Sequence, residues 1–218
     1  MMHSSHHTQR SINTLIQQAR TFHERATLHA ESPIDFQQLA DGQSPHALFI
    51  TCSDSRVVPA LITNAVPGEL FELRTAGNVV PLYRPERPNG EAATIEYAVE
   101  VLAVSDIVVY GHSHCGAVGA VARRDDLAAL PAVEGWLASE IAVGLDQEKP
   151  GTMPPCPGPE LADAVQQHVL TQLERLHTYP GIQQRVAEGR MRLHAWFYEI
   201  HTGAVLAHRP QAGTFLPL

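Results

Sequence analysis

Two cysteine thiols and one imidazole in this sequence have the types and the spacing of metal ligands. His112 and Cys115 are three residues apart and can chelate one ion together, whereas Cys52 lies a domain-sized segment earlier and must be brought to them by folding. Cysteine and histidine are preferred ligands of Zn²⁺, and a catalytic zinc site keeps three protein ligands and an open position. Because a structural zinc is normally closed by a fourth such ligand, a set of three indicates a catalytic site.

A carboxylate and a guanidinium close to Cys52 extend this interpretation. Asp54 and Arg56 are two residues apart, so in an extended or tightly turned backbone they project to the same side. There the guanidinium can hold the carboxylate bidentately. A carboxylate fixed beside a metal can accept a hydrogen bond from zinc-bound hydroxide and orient its lone pair toward an electrophile. We therefore predict that Asp54 and Arg56 are catalytic residues.

Short apolar strands should place these groups at one edge of a parallel sheet. The apolar runs 46–51 and 106–111 end at Cys52 and His112, and a helix of small residues over 116–123 follows the third ligand. In open α/β sheets, ligands lie beyond the carboxyl ends of the strands, where helix N-termini offer free N–H groups and the positive end of a dipole. The spacing therefore predicts one site at that edge.

The remaining patterns predict an α/β fold, with a mostly parallel central sheet flanked by helices and with the C-terminal strands at one edge. Tyr179-Pro180-Gly181 marks a turn before a short helix. The predicted helices cover 9–30, 91–104, 131–145, 161–176 and 182–188, the predicted further strands cover 69–74, 193–200 and 204–208, and a proline-rich loop covers 144–159.

Composition narrows the classes of function. The 218 residues, 44% of them hydrophobic and 17% charged, suit one globular domain with a sizeable core. A net charge of −8 without a basic run argues against nucleic acid as a partner. Three cysteines, two of them assigned to the metal, argue against a disulfide framework and for a reducing, cytoplasmic location. We expect no membrane association, because no apolar run reaches spanning length, and no signal peptide.

The pattern Cys52-Ser-Asp-Ser-Arg with His112-x-x-Cys115 resembles that of the β-class carbonic anhydrases. The likeness continues, in order, through several further segments and covers about residues 30–210; the segments are 42–45, 67–71, 76–78, 95–99, 111–113 and 193–198. Each segment alone is weakly specific, but the whole series is highly specific. The resemblance implies a single domain over 1–218 with an N-terminal helical arm over 1–30. It also implies an obligate dimer, which can assemble further into a tetramer or octamer.

The resemblance also implies substrate-binding residues. The Gln43 amide and the Gly116 N–H would bind bicarbonate oxygens. Phe71 and Tyr97 would line an apolar pocket beside the metal, contributed partly across a dimer interface. Taken on their own, Gln43 could simply make loop hydrogen bonds, and the two aromatic residues could belong to the core.

The implied function is the zinc-dependent reversible hydration of carbon dioxide to bicarbonate and a proton. In this hypothesis Cys52, His112 and Cys115 hold Zn²⁺, and a zinc-bound hydroxide attacks carbon dioxide. Two alternatives stay open. Related proteins hydrolyse carbon disulfide or carbonyl sulfide with similar zinc ligands, and the chain could instead be a non-catalytic zinc-binding assembly module. Asp54 and Arg56 count against the module, which has no use for them.

Overall fold

The structure is a computed structural model that describes residues 11–28, 34–141 and 159–218. The chain divides into two compact units, residues 1–42 and residues 43–218. All the predicted site residues belong to the second unit. Most of the predicted loop over 144–159 lies outside the described residues.

Within its described residues, 11–28 and 34–42, the first unit contains three short helices: α1 (Ile12–Arg20), α2 (Phe22–Leu28) and α3 (Phe36–Ala40). The described part of the predicted helix over 9–30 is helical but interrupted at Thr21, and the two residues at each end of that range lie outside the described residues. The Thr21 hydroxyl donates to the carbonyls of Gln17 and Gln18, an alternative bond that β-branched hydroxyl residues offer the backbone. The Ser11 hydroxyl accepts from the Thr14 N–H and caps α1.

The second unit is built on a six-stranded sheet in the order β2-β1-β3-β4-β5-β6. The strands are β1 (Ala47–Cys52), β2 (Leu70–Thr75), β3 (Asp106–His112), β4 (Arg192–Tyr198), β5 (Val205–Arg209) and β6 (Thr214–Pro217). The first four are parallel, and β5 and β6 continue the sheet in antiparallel fashion. This confirms the predicted fold class. Strand β6 was not predicted from the sequence.

The helices of this unit connect the strands and lie beside the sheet. They are α4 (Pro59–Thr63), α5 (Gly90–Glu96), α6 (Gly116–Arg123), α7 (Pro131–Glu140), α8 (Pro159–Leu176) and α9 (Pro180–Ala187). The predicted helix over 91–104 is not α-helical throughout, since a π-helical turn, Tyr97–Val101, follows α5. Among the described residues, the helices are all too short or too polar to span a bilayer.

Strands β1 and β3 are mostly apolar and almost entirely buried. All of β1 is buried, and Leu48 and Ile50 point to the helix-covered side, where they join one large core. Each such aliphatic side chain contributes roughly 1.5–3 kcal/mol when removed from water. Helix α8 packs directly on β3 at Gly111, where there is no room for a side chain: an added Cβ would overlap the Val169 side chain. The central strands are therefore held rigidly, and so are the residues at their carboxyl ends.

Candidate metal centre

The carboxyl ends of β1 and β3 bring the three predicted ligands together. Strand β1 ends at Cys52 and strand β3 at His112, and the parallel register pairs Thr51 with Tyr110. Cys115 follows as the residue that precedes α6. The ligand atoms of Cys52, His112 and Cys115 all lie within 4.8 Å of one another, and the three residues are buried. The structure thus confirms that folding closes the gap between Cys52 and the other two.

The imidazole of His112 is oriented for metal binding. Its Nδ1 lies 2.8 Å from the Ser113 carbonyl oxygen, which can only accept, so Nδ1 carries the proton. Its Nε2 then has a free lone pair, and this atom is buried without a hydrogen-bond partner among the described residues. A buried polar atom without a partner is costly and calls for a ligand. The carboxylate oxygen Oδ2 of Asp54 lies 4.0 Å from the His112 Nε2, too far for a hydrogen bond.

The two thiols are surrounded by donors that stabilise negative charge. The Gly77 N–H donates to Cys52 Sγ at 3.4 Å, and Cys115 precedes the N-terminus of α6, the positive end of that helix's dipole. The hydrogen bond from Cys115 lowers the pKa of Cys52 to about 4, and the same bond, with burial, raises the pKa of Cys115. A cation bound between the two sulfurs would stabilise both as thiolates. Two thiolates and a neutral imidazole with a free lone pair fit Zn²⁺.

Asp54 and Arg56 form the bidentate pair that their spacing predicts. Arg56 Nε donates to Asp54 Oδ1 at 2.9 Å and Nη2 to Oδ2 at 2.7 Å, and the Arg56 N–H adds a third bond. Arg56 Nη2 also donates to the His114 carbonyl at 3.3 Å. The Arg56 guanidinium holds the pKa of the Asp54 carboxyl well below its usual range. The carboxylate is therefore charged and turned toward Arg56 across the working pH range.

A second arginine holds the turn that carries Cys52 and Asp54. Arg74, at the end of β2, donates from Nη2 to the carbonyls of Cys52, Asp54 and Val57 at 2.9, 3.1 and 2.7 Å. Charged donors make stronger hydrogen bonds than neutral ones. Arg74 therefore fixes the backbone on which the first ligand and the carboxylate stand.

The four residues assigned to substrate binding by resemblance lie in different places. Gly116 is the first residue of α6, and a Cβ added there would meet open space. Gln43 is exposed in the coil before β1. The rings of Phe71 and Tyr97 are 6.0 Å apart. Phe71 lies opposite Leu48 in the sheet, four residues before Cys52 at the end of β1. The two aromatic rings therefore lie about 13 Å along the strand direction from the level of Cys52.

Three residues beside the ligands were not predicted as site residues. The Trp136 Nε1 donates to the Ala76 carbonyl at 2.9 Å, and the His168 Nε2 lies 2.7 Å from the Gly77 carbonyl. Gly77 itself donates to Cys52. A tryptophan within a helical pattern is typical of a core position, and nothing in the pattern around His168 singles that residue out. Both partners lie far along the chain, so only the folded chain reveals them.

Comparisons with known proteins agree with this geometry. The sequence profile of the carbonic anhydrase family matches residues 47–205. The chain is 47% identical over 171 residues to a carbonic anhydrase of Pseudomonas aeruginosa, covering 78% of this chain and 76% of that one. It is 45% identical over 184 residues to carbonic anhydrase 1 of Escherichia coli O157:H7, covering 84% and 82%.

Solved structures show the same fold. The β-carbonic anhydrase CcaA superposes with a TM-score of 0.79 at 36% identity, covering 95% of this chain and 99% of that one. One of two tetrameric β-carbonic anhydrases from Sordaria macrospora superposes with a TM-score of 0.64 at 26% identity, covering 90% and 92%.

Proposed function

The chain belongs to the β-class carbonic anhydrases, and from this we propose that it catalyses the zinc-dependent, reversible hydration of carbon dioxide to bicarbonate and a proton. One observation carries the proposal. The buried group Cys52, His112 and Cys115 leaves the His112 Nε2 unpaired beside a carboxylate that Arg56 holds. A structural site has no need of that carboxylate.

Zn²⁺ is the metal that this donor set suits, with Cys52, His112 and Cys115 as its ligands. When bound, zinc supplies a water whose pKa is low enough to give a nucleophile near neutral pH. Two thiolates would cancel the formal charge of the ion and so make its bound water less acidic, and the positive N-terminus of α6 would offset part of that effect. Because Cys52 and Cys115 are buried, bulk water has little access to their sulfur atoms.

Asp54 acts by orienting the nucleophile. A carboxylate whose pKa is held well below its usual range is a poor proton acceptor, so it does not serve as a general base near neutral pH. It can still accept a hydrogen bond from the attacking water or hydroxide and fix its lone pair. Arg56 holds both carboxylate oxygens and so keeps Asp54 from turning onto the ligand group.

Gly116 and Gln43 are the proposed partners of the bicarbonate oxygens. As the first residue of α6, Gly116 has an N–H with no partner inside the helix, next to Cys115. A negative oxygen is favoured at that end of a helix. The Gln43 amide, exposed before β1, supplies a second donor.

Phe71 and Tyr97 are the proposed apolar wall of the pocket for carbon dioxide. Because they lie about 13 Å along the sheet from the level of Cys52 in the same chain, we assign them to the metal centre of a second copy. This agrees with the tetrameric assembly of the Sordaria macrospora relatives. We propose a dimer as the smallest active form, with tetramers or octamers as larger assemblies, and a cytoplasmic location, where thiol ligands stay reduced.

Stopped-flow measurement of carbon dioxide hydration with a pH indicator tests the proposal. The zinc-loaded protein should accelerate hydration, and the Cys52→Ser variant should not. Hydrolysis of carbonyl sulfide and carbon disulfide is measured on the same preparation. A preparation with a full equivalent of zinc that fails to hydrate carbon dioxide would contradict the proposed reaction, and turnover of the sulfur substrates would then identify the alternative.

A further inference from the structure

A partly buried hydrogen-bond network lies behind the ligands and has no part in the proposed reaction. It is centred on Gly77, which lies in the loop after β2, and it includes Trp136 of α7 and His168 of α8. His168 is only 1% exposed, so its hydrogen bonds are made entirely inside the protein. The network ends at Cys52.

Gly77 is tightly confined. Its φ is +87°, a conformation that residues with a side chain rarely adopt, and an added Cβ would lie 2.7 Å from Ile141 Cδ1 and 3.2 Å from Ala117 Cβ. In this conformation its N–H points at the Cys52 sulfur, 3.4 Å away. The direction of that N–H depends on the two peptide groups on either side of Gly77.

Trp136 holds the first of these peptide groups. Its indole N–H donates to the Ala76 carbonyl at 2.9 Å, and Ala76 C=O and Gly77 N–H belong to the same peptide unit. A donor on the carbonyl side polarises the unit, which strengthens the hydrogen bond that its N–H makes. Trp136, Ala76–Gly77 and Cys52 thus form a continuous hydrogen-bonded chain.

His168 holds the second peptide group through a tautomer that the fold specifies. The Gln172 side-chain oxygen accepts from the Val80 N–H at 2.8 Å, so its amide nitrogen faces His168 Nδ1 at 3.4 Å and donates. The proton of His168 is therefore on Nε2, which donates to the Gly77 carbonyl at 2.7 Å. Burial lowers the pKa of His168 to about 4, so the ring is neutral at working pH.

We propose that Trp136 and His168 are positioning residues of the metal centre, which hold both peptide groups of Gly77 so that its N–H stays on the Cys52 sulfur. The proposal rests on the proposed metal site and is independent of the reaction. Removal of either donor should loosen Gly77 and leave the Cys52 thiolate richer in electrons and easier to protonate. Losing such supporting partners typically weakens metal binding about 10- to 100-fold.

Four variants of the full-length protein, reconstituted with Co²⁺ or Zn²⁺, test this. His168→Leu removes both hydrogen bonds of the ring, and His168→Gln restores a donor and an acceptor. Trp136→Phe removes only the indole donor. Trp196→Phe is the matched control, since Trp196 is the other tryptophan and packs with Phe49 and Tyr110 on the opposite face of the sheet. The readouts are the zinc dissociation constant by chelator competition and the thiolate-to-cobalt charge-transfer band.

His168→Leu should raise the zinc dissociation constant about 10-fold or more and shift the charge-transfer band to lower energy, and Trp136→Phe should do the same to a smaller extent. His168→Gln and Trp196→Phe should match the wild type. A purely packing role would lower stability without moving the band. If His168→Leu does not fold, Trp136→Phe decides the question.

Wild-type band positions and zinc affinities in both Trp136→Phe and His168→Leu would overturn this inference alone. A wild-type protein that binds neither metal with thiolate charge transfer would overturn the proposed metal site as well.

Discussion

Two carboxylate–guanidinium pairs lie at opposite edges of the sheet and differ in what surrounds them. Asp54 pairs with Arg56 at the carboxyl edge, and Asp106 pairs with Arg192 at the amino edge, each with two short hydrogen bonds. The two aspartates have equal side-chain exposure, 16%. In both the pKa of the carboxyl is held well below its usual range. As ion pairs they are nearly the same.

The neighbouring histidines make the difference. At the amino edge, His194 Nε2 is bonded to Asp106 at 2.8 Å, and the Ser105 hydroxyl donates to the same carboxylate. At the carboxyl edge, the His112 Nε2 is 4.0 Å from Asp54 and has no partner among the described residues. A satisfied cluster has no free group with which to bind anything. The carboxyl edge differs because its ion pair lies beside one atom with a free lone pair, His112 Nε2, which can bind a metal ion.

The largest expected effect is loss of the metal from the carboxyl edge alone. Cys52→Ser replaces a thiolate by a hydroxyl that is harder and much less acidic, so zinc binding should fall to far below one equivalent. Asp106→Asn should retain a full equivalent. Metal analysis of the two purified variants checks this, and a full equivalent of zinc in Cys52→Ser would show that Cys52 is not a ligand.

The next largest difference is expected between substitutions of Arg56 and of Arg192. Arg56→Ala frees the Asp54 carboxylate, and we expect kcat to fall at least about 10- to 100-fold while zinc stays bound. Arg192→Ala removes the equivalent group from the amino edge and should leave kcat unchanged. Initial rates of carbon dioxide hydration, with zinc content measured on each sample, make the comparison. Equal losses in the two variants would contradict the assignment of Arg56.

A smaller effect is expected at Arg74, which supports the carboxyl edge from behind. Arg74→Leu leaves the carbonyls of Cys52, Asp54 and Val57 without their charged donor. The free energy of unfolding should fall by about 2 kcal/mol, the range for hydrogen bonds to a charged group. Arg192→Leu is the control, since its side chain is largely exposed and its ion pair should contribute little to stability. Urea denaturation at neutral pH measures both, and a smaller loss in Arg74→Leu than in Arg192→Leu would refute the supporting role.

The smallest effect concerns acid stability at the amino edge. Burial opposes ionisation of Asp106, but hydrogen bonds from Arg192, His194 and Ser105 outweigh it and lower the pKa of the carboxyl. Since the folded pKa is lower than the unfolded value of about 3.9, the pair stabilises the protein above about pH 4 and loses this contribution as the pH falls toward the folded pKa. Asp106→Asn should cost about 1 kcal/mol at pH 7 and less at pH 3. Denaturation curves at both pH values check this, and a pH-independent cost would argue against the ionic origin.

How far the sequence predicts this molecule depends on distance along the chain. Asp54 and Arg56 are two residues apart, so their pairing follows from backbone geometry, whereas Asp106 and Arg192 are 86 residues apart and meet only through the pairing of β3 with β4. The convergence of Cys52 with His112 was predictable, because each ends an apolar run and parallel strands share one carboxyl edge.

The features that the sequence did not reveal have weak local signals. Helix α4, Pro59–Thr63, and strand β6, Thr214–Pro217, are too short to show a period. The π-helical turn after α5 and the break at Thr21 fall within sequences whose apolar spacing is that of a continuous α-helix. Trp136 reaches Ala76 from 60 residues away and His168 reaches Gly77 from 91 residues away, and only tertiary packing fixes these relations.

The placement of Cys52 and His112 on different strands also links folding to metal supply. The three donor atoms come together only when β1 and β3 are paired, so an ion that needs all of them binds the assembled chain and hardly binds the unfolded one. By mass action, free zinc at 100 times its dissociation constant would stabilise the fold by about 2.7 kcal/mol. In a zinc-starved cell this chain would therefore populate its unfolded form more often and be degraded faster, so its abundance would follow the zinc status of the cell.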